Sequence, residues 1–405
     1  MQRNKIILTL EHPQWVEFID AGTHLRLDEM ALRLRNRFDL DLPTAISILS
    51  IYQKAQRKIP RWVDARCALT QRAYEQCSSQ RVAEYRSSLF HGKEAWDMTA
   101  GLGVDGTFLS HQFESVYSVE VNPELVELLR FNSTRLGRTN HLILHSTFDD
   151  ALTSLNREVD LIFIDPDRRP GSQRVHGLAD CEPNVLSRLD ELTSKSQTLA
   201  LKLSPMVDLT ELRRQIPLLT SLAVISELNE VKEIMAVVGT SALPNGITAV
   251  NLDPSGEQVF SSSGRKEPPL PAHCVDQHLV FEPGSALIKA GLADEYAQRH
   301  SLLKLGKHSF LYTANDVVLN SPGKWFEVVD QLDVNWKGIR KALSTRGIHE
   351  VMITKRDFPE SVQTIRKRLG IKDGGQYHLY FYTNWDRVTR CLLLRRMRTS
   401  DQAFT

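Results

Sequence analysis

The chain has 405 residues, of which 41% are hydrophobic and 24% are charged. This is the composition of a folded, soluble protein, and it excludes a mainly disordered or fibrous chain. No apolar run approaches the roughly 20 residues that cross a bilayer, and the start lacks the apolar stretch of a signal peptide. We therefore predict a cytoplasmic protein with no membrane partner.

The net charge of +1 conceals an uneven distribution. Residues 335–405 contain 15 Lys and Arg against 6 Asp and Glu, so this end carries +9 and the remainder −8. A basic end on an acidic body favours a module that binds a polyanion, usually nucleic acid. The alternative is a basic surface that serves solubility alone. The five scattered Cys and the isolated His residues predict neither disulfides nor a metal site.

Apolar spacing divides the chain into regions. Residues 1–90 carry Leu, Ala, Arg and Gln at helical spacing, which predicts a helical N-terminal domain. Over 91–250, short apolar runs alternate with amphipathic stretches, which predicts an α/β, Rossmann-like, doubly wound sheet. Residues 251–276 gather Pro, Gly and Ser without periodicity and predict a linker. A small α+β pattern fills the rest of the chain.

A glycine-rich segment, WDMTAGLGVDG, lies between the first strand and the first helix of the α/β region. It contains G-x-G-x-x-G at Gly101, Gly103 and Gly106. Such glycines let the backbone approach a nucleotide, although a plain strand–helix turn with positive φ is the alternative. Nicotinamide dinucleotides and S-adenosylmethionine both suit this loop. Asp97 favours S-adenosylmethionine, because a carboxylate stabilises its sulfonium and ammonium groups but repels a pyrophosphate.

Polar residues also follow the next two predicted strands. Glu120 ends the second strand, where it is placed to accept both ribose hydroxyls of either cofactor. After the third strand, the adenine contact stays open between Thr147 and the acids Asp149 and Asp150, which are alternatively a helix cap. The candidate cofactor residues are Asp97, Thr99, Ala100, Gly101, Gly103, Asp105, Gly106, Glu120, Asn122, Thr147 and Asp149.

The fourth predicted strand, VDLIFI, ends in Asp165-Pro166-Asp167-Arg168-Arg169, at the edge where open α/β sheets bind ligands. Pro166 has no N–H, so this corner presents acceptors, which suit a nucleophile bearing N–H or O–H. Arg168 and Arg169 are placed to clamp a phosphate or carboxylate of the substrate; solvated arginines on a capped loop are the alternative. The candidate catalytic residues are Asp165, Pro166 and Arg168.

With these motifs the sequence resembles the class I methyltransferases, and more narrowly the bacterial family with a C-terminal THUMP-like domain. The resemblance covers about residues 70–400. It implies S-adenosylmethionine as cofactor, a methyltransferase domain at 91–250, a ferredoxin-like domain at 277–322 and a basic THUMP-like domain at 323–405. Because THUMP domains are associated with RNA, it also implies tRNA or rRNA as partner. The matching segments are EQCSS (75–79), the glycine-rich segment, DPDRR (165–169), DCEPN (180–184), LKLSPM (201–206) and FEP (281–283).

The residues after the fourth and fifth strands restrict the reaction. Asp167-Arg168 stands where amino-directed methyltransferases place an aromatic, and Leu203-Ser204-Pro205 stands where uridine C5-methyltransferases need a cysteine. We therefore expect direct methyl transfer to a nitrogen or oxygen of structured RNA, without a metal. The alternatives are an RNA-binding protein on an inactive scaffold and a protein or small-molecule methyltransferase. The candidate substrate-binding residues are Arg168, Arg169, Lys202, Arg366 and Arg368.

Overall fold

Helices occupy the first part of the chain, as the apolar spacing predicts. Their apolar sides meet around Trp15, Phe18 and Trp62, which are buried. The structure, a computed structural model, describes residues 4–168, 178–254, 256–262, 269–272 and 278–397. Before residue 92 it contains α1 (Lys5–Leu10), α2 (Trp15–Gly22), α3 (Leu27–Arg33), α4 (Leu42–Lys58), α5 (Pro60–Asp64), α6 (Gln71–Gln76) and α7 (Gln80–Ser88).

Strands and helices alternate in the next part of the chain, which confirms the predicted doubly wound α/β fold. The elements are β1 (Gly92–Asp97), α8 (Val104–Leu109), β2 (Phe113–Glu120), α9 (Pro123–Arg135), β3 (His141–His145), α10 (Phe148–Ser154), β4 (Val159–Ile164), β5 (Asp167–Arg168), β6 (Cys181–Glu182), α11 (Leu189–Ser194), β7 (Ser196–Leu203), α12 (Leu209–Gln215), β8 (Ser221–Glu227) and β9 (Glu230–Gly239). Two compact units divide the chain, Met1–Ser221 with Ile234–Leu243 and Leu222–Glu233 with Pro244–Thr405.

The sheet of the first unit has the strand order β9-β7-β4-β1-β2-β3. Its strands pair in parallel, except that β9 runs antiparallel to β7. The VDLIFI run of β4 is almost wholly buried because helices cover both faces of a parallel sheet. Asp97, Glu120 and Asp165 end or directly follow β1, β2 and β4, so all three lie at the carboxyl edge.

The second unit contains β10 (Gly246–Asp253) and β11 (Gly256–Ser262), which pair antiparallel. Residues 256–262 were expected to be linker from their Gly and Ser content. Buried Phe260, which packs edge-on against Tyr296 with ring centroids 5.1 Å apart, and the pairing with β10 instead make this segment a strand.

A sheet of seven strands in the order β13-β14-β12-β15-β18-β17-β16 completes the second unit. The predicted ferredoxin-like and THUMP-like segments both contribute to it, because β12 pairs with β15. None of the described helices is long and apolar enough to cross a membrane. The elements are β12 (Leu279–Pro283), α13 (Ser285–Lys289), α14 (Ala293–Arg299), β13 (Leu303–Lys304), β14 (Tyr312–Ala314), β15 (Gly323–Asp333), α15 (Trp336–Thr345), β16 (Met352–Arg356), α16 (Val362–Leu369), β17 (Tyr377–Thr383) and β18 (Thr389–Arg396).

Candidate active site

Asp97 is a fully buried carboxylate at the end of β1, with 0% of its surface exposed. Its Oδ1 accepts a hydrogen bond of 3.2 Å from the Thr99 amide, and its Oδ2 has no partner in the described chain. Burial raises the pKa of Asp97 to about 7, and the Asp165 carboxylate also raises it, while the Thr99 amide, Lys202 and Arg86 act in the opposite direction. An unpartnered buried carboxylate oxygen is costly, so this atom suits a cationic ligand.

The glycine loop is open to a ligand at Gly101. Gly101 and Gly103 have φ of +53° and +78°, a conformation that favours glycine. A Cβ on Gly103 would lie 2.2 Å from Leu129, and one on Gly106 would lie 2.3 Å from Ser118 Oγ, so these two glycines serve close packing. A Cβ on Gly101 would meet no atom within 4 Å, which leaves space beside the backbone for a cofactor.

Glu120 lies at the end of β2 and holds the loop. Its Oε2 accepts a hydrogen bond of 2.9 Å from the Gly101 amide, and its Oε1 accepts one of 2.8 Å from the Asn122 amide. Each carboxylate oxygen keeps acceptor capacity beyond these bonds. The carboxylate is therefore positioned beside the open part of the loop and remains able to accept hydroxyl groups.

Asp165 belongs to a charged network beside the loop. Its amide donates a hydrogen bond of 2.7 Å to Thr99 Oγ1, and its carboxylate accepts one from Lys202. Lys202 Nζ also lies 3.7 Å from Asp105, whose other oxygen pairs with Arg86. The two cations thus balance Asp105 and Asp165, while Oδ2 of Asp97 remains unpartnered.

Arg86 is the member of this network that sequence reasoning missed. It lies on α7 four residues after buried Val82, and its side chain is also buried. Besides Asp105, it donates to Ser78 Oγ at 3.2 Å and lies 5.5 Å from the ring centre of Phe163. An arginine on the apolar face of a helix was the available signal, since a buried arginine requires a partner.

Several predicted cofactor residues have structural partners. Asn122 caps α9 by accepting from the amides of Glu124 and Leu125, and Thr147 caps α10 by accepting from the Asp150 amide. Short polar residues after a strand are favoured both as helix caps and as ligand contacts. The sequence alone therefore does not distinguish the two roles. Asp149 pairs with Arg188 at 2.6 Å, and the Ala100 amide donates to the carbonyl of Val119 at 2.9 Å.

The predicted substrate residues lie in different places. Lys202 is in the charged network, while Arg366 pairs with Asp373 at 2.6 Å and Arg368 with Glu360 at 3.2 Å, both in the second unit. For Arg168 only the backbone is described, in β5, which pairs with β6. Pro166 follows Asp165, and Arg169 lies outside the described residues.

The residues of this edge fit S-adenosylmethionine. Asp97 offers a buried acceptor for a cationic group, Glu120 offers acceptors for hydroxyls, and Gly101 leaves space along the backbone. A pyrophosphate would be repelled by negative charge at Asp97. The described residues contain no group of three or more His, Cys, Asp or Glu arranged to hold a metal ion.

Two C-terminal segments of the chain match domain families known from other proteins. Residues 323–396 match a THUMP domain-like family model, and residues 280–322 match a ferredoxin-like domain. The structure is similar to the crystal structure of a methyltransferase candidate from Porphyromonas gingivalis W83, with a TM-score of 0.83 and 24% sequence identity. The matched region covers 98% of this chain and 100% of that chain. The chain therefore has the fold of that protein over nearly its whole length.

Curated relatives agree with this fold assignment. Two proteins from Mycobacterium tuberculosis strains CDC 1551 and H37Rv, both named uncharacterized S-adenosylmethionine-dependent methyltransferases, are each 26% identical over 350 residues. The aligned part covers 84% of this chain and 92% of each relative. These comparisons confirm the predictions of a class I methyltransferase and of S-adenosylmethionine as its cofactor.

Proposed function

We propose that the protein transfers the methyl group of S-adenosylmethionine to a nitrogen or oxygen atom of structured RNA, by direct transfer. The observation that carries the cofactor part is the buried, unpartnered Oδ2 of Asp97 beside the open backbone at Gly101. In this proposal Asp97, Gly101 and Glu120 bind the cofactor, and Asp165 faces the substrate.

Bound S-adenosylmethionine supplies an electrophilic methyl carbon on a positively charged sulfur. The protein then has to align a nucleophile and accept its hydrogen bond. Asp165 suits this role because 32% of its side chain is exposed, its amide is anchored on Thr99, and Lys202 fixes its carboxylate. As the nucleophile gains the methyl group, the carbon–sulfur bond breaks and its electron pair stays on sulfur, which leaves S-adenosylhomocysteine. The N–H or O–H proton of the nucleophile passes to an acceptor at this edge or to solvent.

The RNA part of the proposal rests on the second unit. Its residues 323–396 match a THUMP domain-like model, and α15 carries three exposed cations, Lys337, Arg340 and Lys341. These positions are three and four residues apart, so they share one helix face. Within the described chain no ion pair involves them. Free cations on one face are suited to the phosphates of a nucleic acid.

Transfer of a labelled methyl group to RNA from cells that lack this gene tests the proposal. We expect label in one defined nucleoside. We expect Asp97→Ala to abolish cofactor binding in calorimetry, and Asp165→Ala to keep binding within about threefold while lowering turnover about 100-fold, the range of a positioned acceptor. Arg214→Gln, which removes an exposed ion pair with Glu211, is the matched control and should leave both unchanged.

The failed outcomes separate the alternatives. Cofactor binding without transfer to RNA, but with transfer to a protein or small molecule in an extract, would replace RNA as the substrate. Absence of cofactor binding would leave an RNA-binding protein on an inactive scaffold. Equal loss of cofactor binding in Asp97→Ala and Asp165→Ala would contradict the division of roles between the two carboxylates.

A further inference from the structure

A cavity lies in the first unit, away from the candidate active site. Its volume is about 370 Å³, within the range of small-molecule sites. His111, which lines it, lies between α8 and β2, whereas Glu120 ends β2, a strand of 8 residues. At about 3.3 Å per residue, the cavity and the active-site edge are roughly 23 Å apart along β2.

Positive charge dominates the wall of this cavity. Arg61, Arg135 and Arg138 line it, against the single carboxylate of Asp64, and Arg61 is also paired with Glu84 at 3.3 Å. Among the described residues, no carboxylate forms an ion pair with Arg135 or Arg138. With Asp64 as the single carboxylate among these lining residues, the cavity favours an anionic ligand.

Arg138 lacks a partner at a buried atom. Its Nε is buried and has no hydrogen-bond acceptor in the described chain. Burial lowers the pKa of Arg138, and the charge of Arg61 lowers it further. Burial is the largest cause that lowers the pKa of His111; the charges of Arg138 and Arg61 lower it further, and Glu84 acts in the opposite direction. A dianion in the cavity would offset the positive charge of these arginines.

An aromatic surface adjoins these arginines. The rings of Phe108 and His111 stack with centroids 5.9 Å apart and an angle of 16° between their planes, and His111 is exposed. The Arg61 guanidinium lies 5.7 Å from the ring centre of Phe108. A flat heterocycle is suited to such a surface, because aromatic rings and guanidinium groups both stack on bases.

We propose that this cavity binds a phosphate monoester of mononucleotide size. Arg135 and Arg138 hold the phosphate, and the base packs against His111. The site lies between α5 of the helical N-terminal region and α8 and α9 of the sheet-forming region. It thereby gives the helical N-terminal region a ligand-binding role. The phosphate belongs either to a free nucleotide or to the end of an RNA chain.

Calorimetry on the full chain, saturated with S-adenosylhomocysteine to block the active site, tests the proposal. The probes are uridine 5′-monophosphate, inorganic phosphate and, as the phosphate-free control, uridine. We expect both phosphates to bind and uridine not to bind. Arg135→Gln and Arg138→Gln should each weaken binding about tenfold or more, whereas Arg214→Gln should not. Arg135 is exposed, so its variant should remain folded, as thermal melting will verify.

A 5′-phosphorylated RNA oligonucleotide and its 5′-hydroxyl counterpart separate the two sources. Tighter binding of the phosphorylated oligonucleotide than of the mononucleotide, with the same dependence on Arg138, identifies an RNA end as the ligand. Tighter binding of the mononucleotide identifies a free nucleotide. No phosphate-dependent binding at millimolar concentration, or binding that survives in both Arg135→Gln and Arg138→Gln, would overturn the proposal.

Discussion

Burial of Asp97 makes the affinity of the active site for a cation depend on pH near neutrality. The pKa of this carboxyl is about 7, so it is largely protonated at pH 6 and largely ionised at pH 8. Since a cation binds the ionised form, we expect S-adenosylmethionine to bind about tenfold more weakly at pH 6 than at pH 8. Calorimetric titrations across this range measure the effect.

The Asp97→Asn variant is the control for this profile, because any remaining pH dependence then belongs to the ligand or to other groups. An asparagine also keeps the acceptor for the Thr99 amide. The wild-type pKa is raised from 3.8, so folding loses stability as pH rises from about 4 to 7, and the variant avoids that loss. We expect it to be more stable than wild type at pH 8, by on the order of 2–4 kcal/mol, and equal at pH 4. A less stable variant at pH 8 would contradict the raised pKa.

Residues of the site differ in how far the sequence predicted them. Asp97, Glu120 and Asp165 were predicted because strand ends at the carboxyl edge carry ligands in open α/β folds, and the structure places all three at that edge. Arg86 and its pairing with Asp105 were missed, because α7 and α8 meet only in the folded chain. The cation cluster formed by Arg61, Arg135 and Arg138 is likewise assembled from separate elements and has no local motif.

Single side chains fasten whole elements to one another in the first unit. Asn132 of α9 is 2% exposed, and its side chain brackets the backbone of Ala68, which precedes α6. Its Oδ1 accepts from the Ala68 amide at 2.6 Å, and its Nδ2 donates to the Ala68 carbonyl at 3.0 Å. The two bonds satisfy buried polar groups of a segment that lies outside any helix or strand.

We expect Asn132→Ala to lower the free energy of unfolding by about 2–4 kcal/mol, because it leaves a buried amide and a buried carbonyl without partners. Urea denaturation measures this change. Thr134→Ala, an exposed substitution on the same helix, should cost less than about 0.5 kcal/mol. A loss below about 1 kcal/mol in Asn132→Ala would mean that apolar packing alone holds this segment against α9.

At the element scale, strand–helix alternation predicted the sheet of the first unit because each buried parallel strand needs a continuous apolar run. The Gly and Ser content of residues 256–262 predicted a linker, but these residues form a strand that pairs with β10.

For the molecule as a whole, the division of charge between its two ends gives a test of the proposed RNA binding. The cations of α15, Lys337, Arg340 and Lys341, are exposed and form no ion pair within the described chain. By contrast, Arg366 and Arg368 are paired with carboxylates. Unpaired cations release more counterions on binding RNA, so α15 should supply the larger share of the salt dependence.

Replacement of Lys337, Arg340 and Lys341 by Gln should therefore weaken binding to structured RNA and reduce the slope of log K against log salt by about 2–3. Filter binding or fluorescence anisotropy over a salt series measures the slope. The matched control replaces three exposed cations of the first unit, Arg35, Lys54 and Lys93, and should leave the slope within about 1 of wild type. Equal losses in both triple variants would mean that RNA is attracted by net charge alone, and that α15 is not a specific part of the RNA-binding surface.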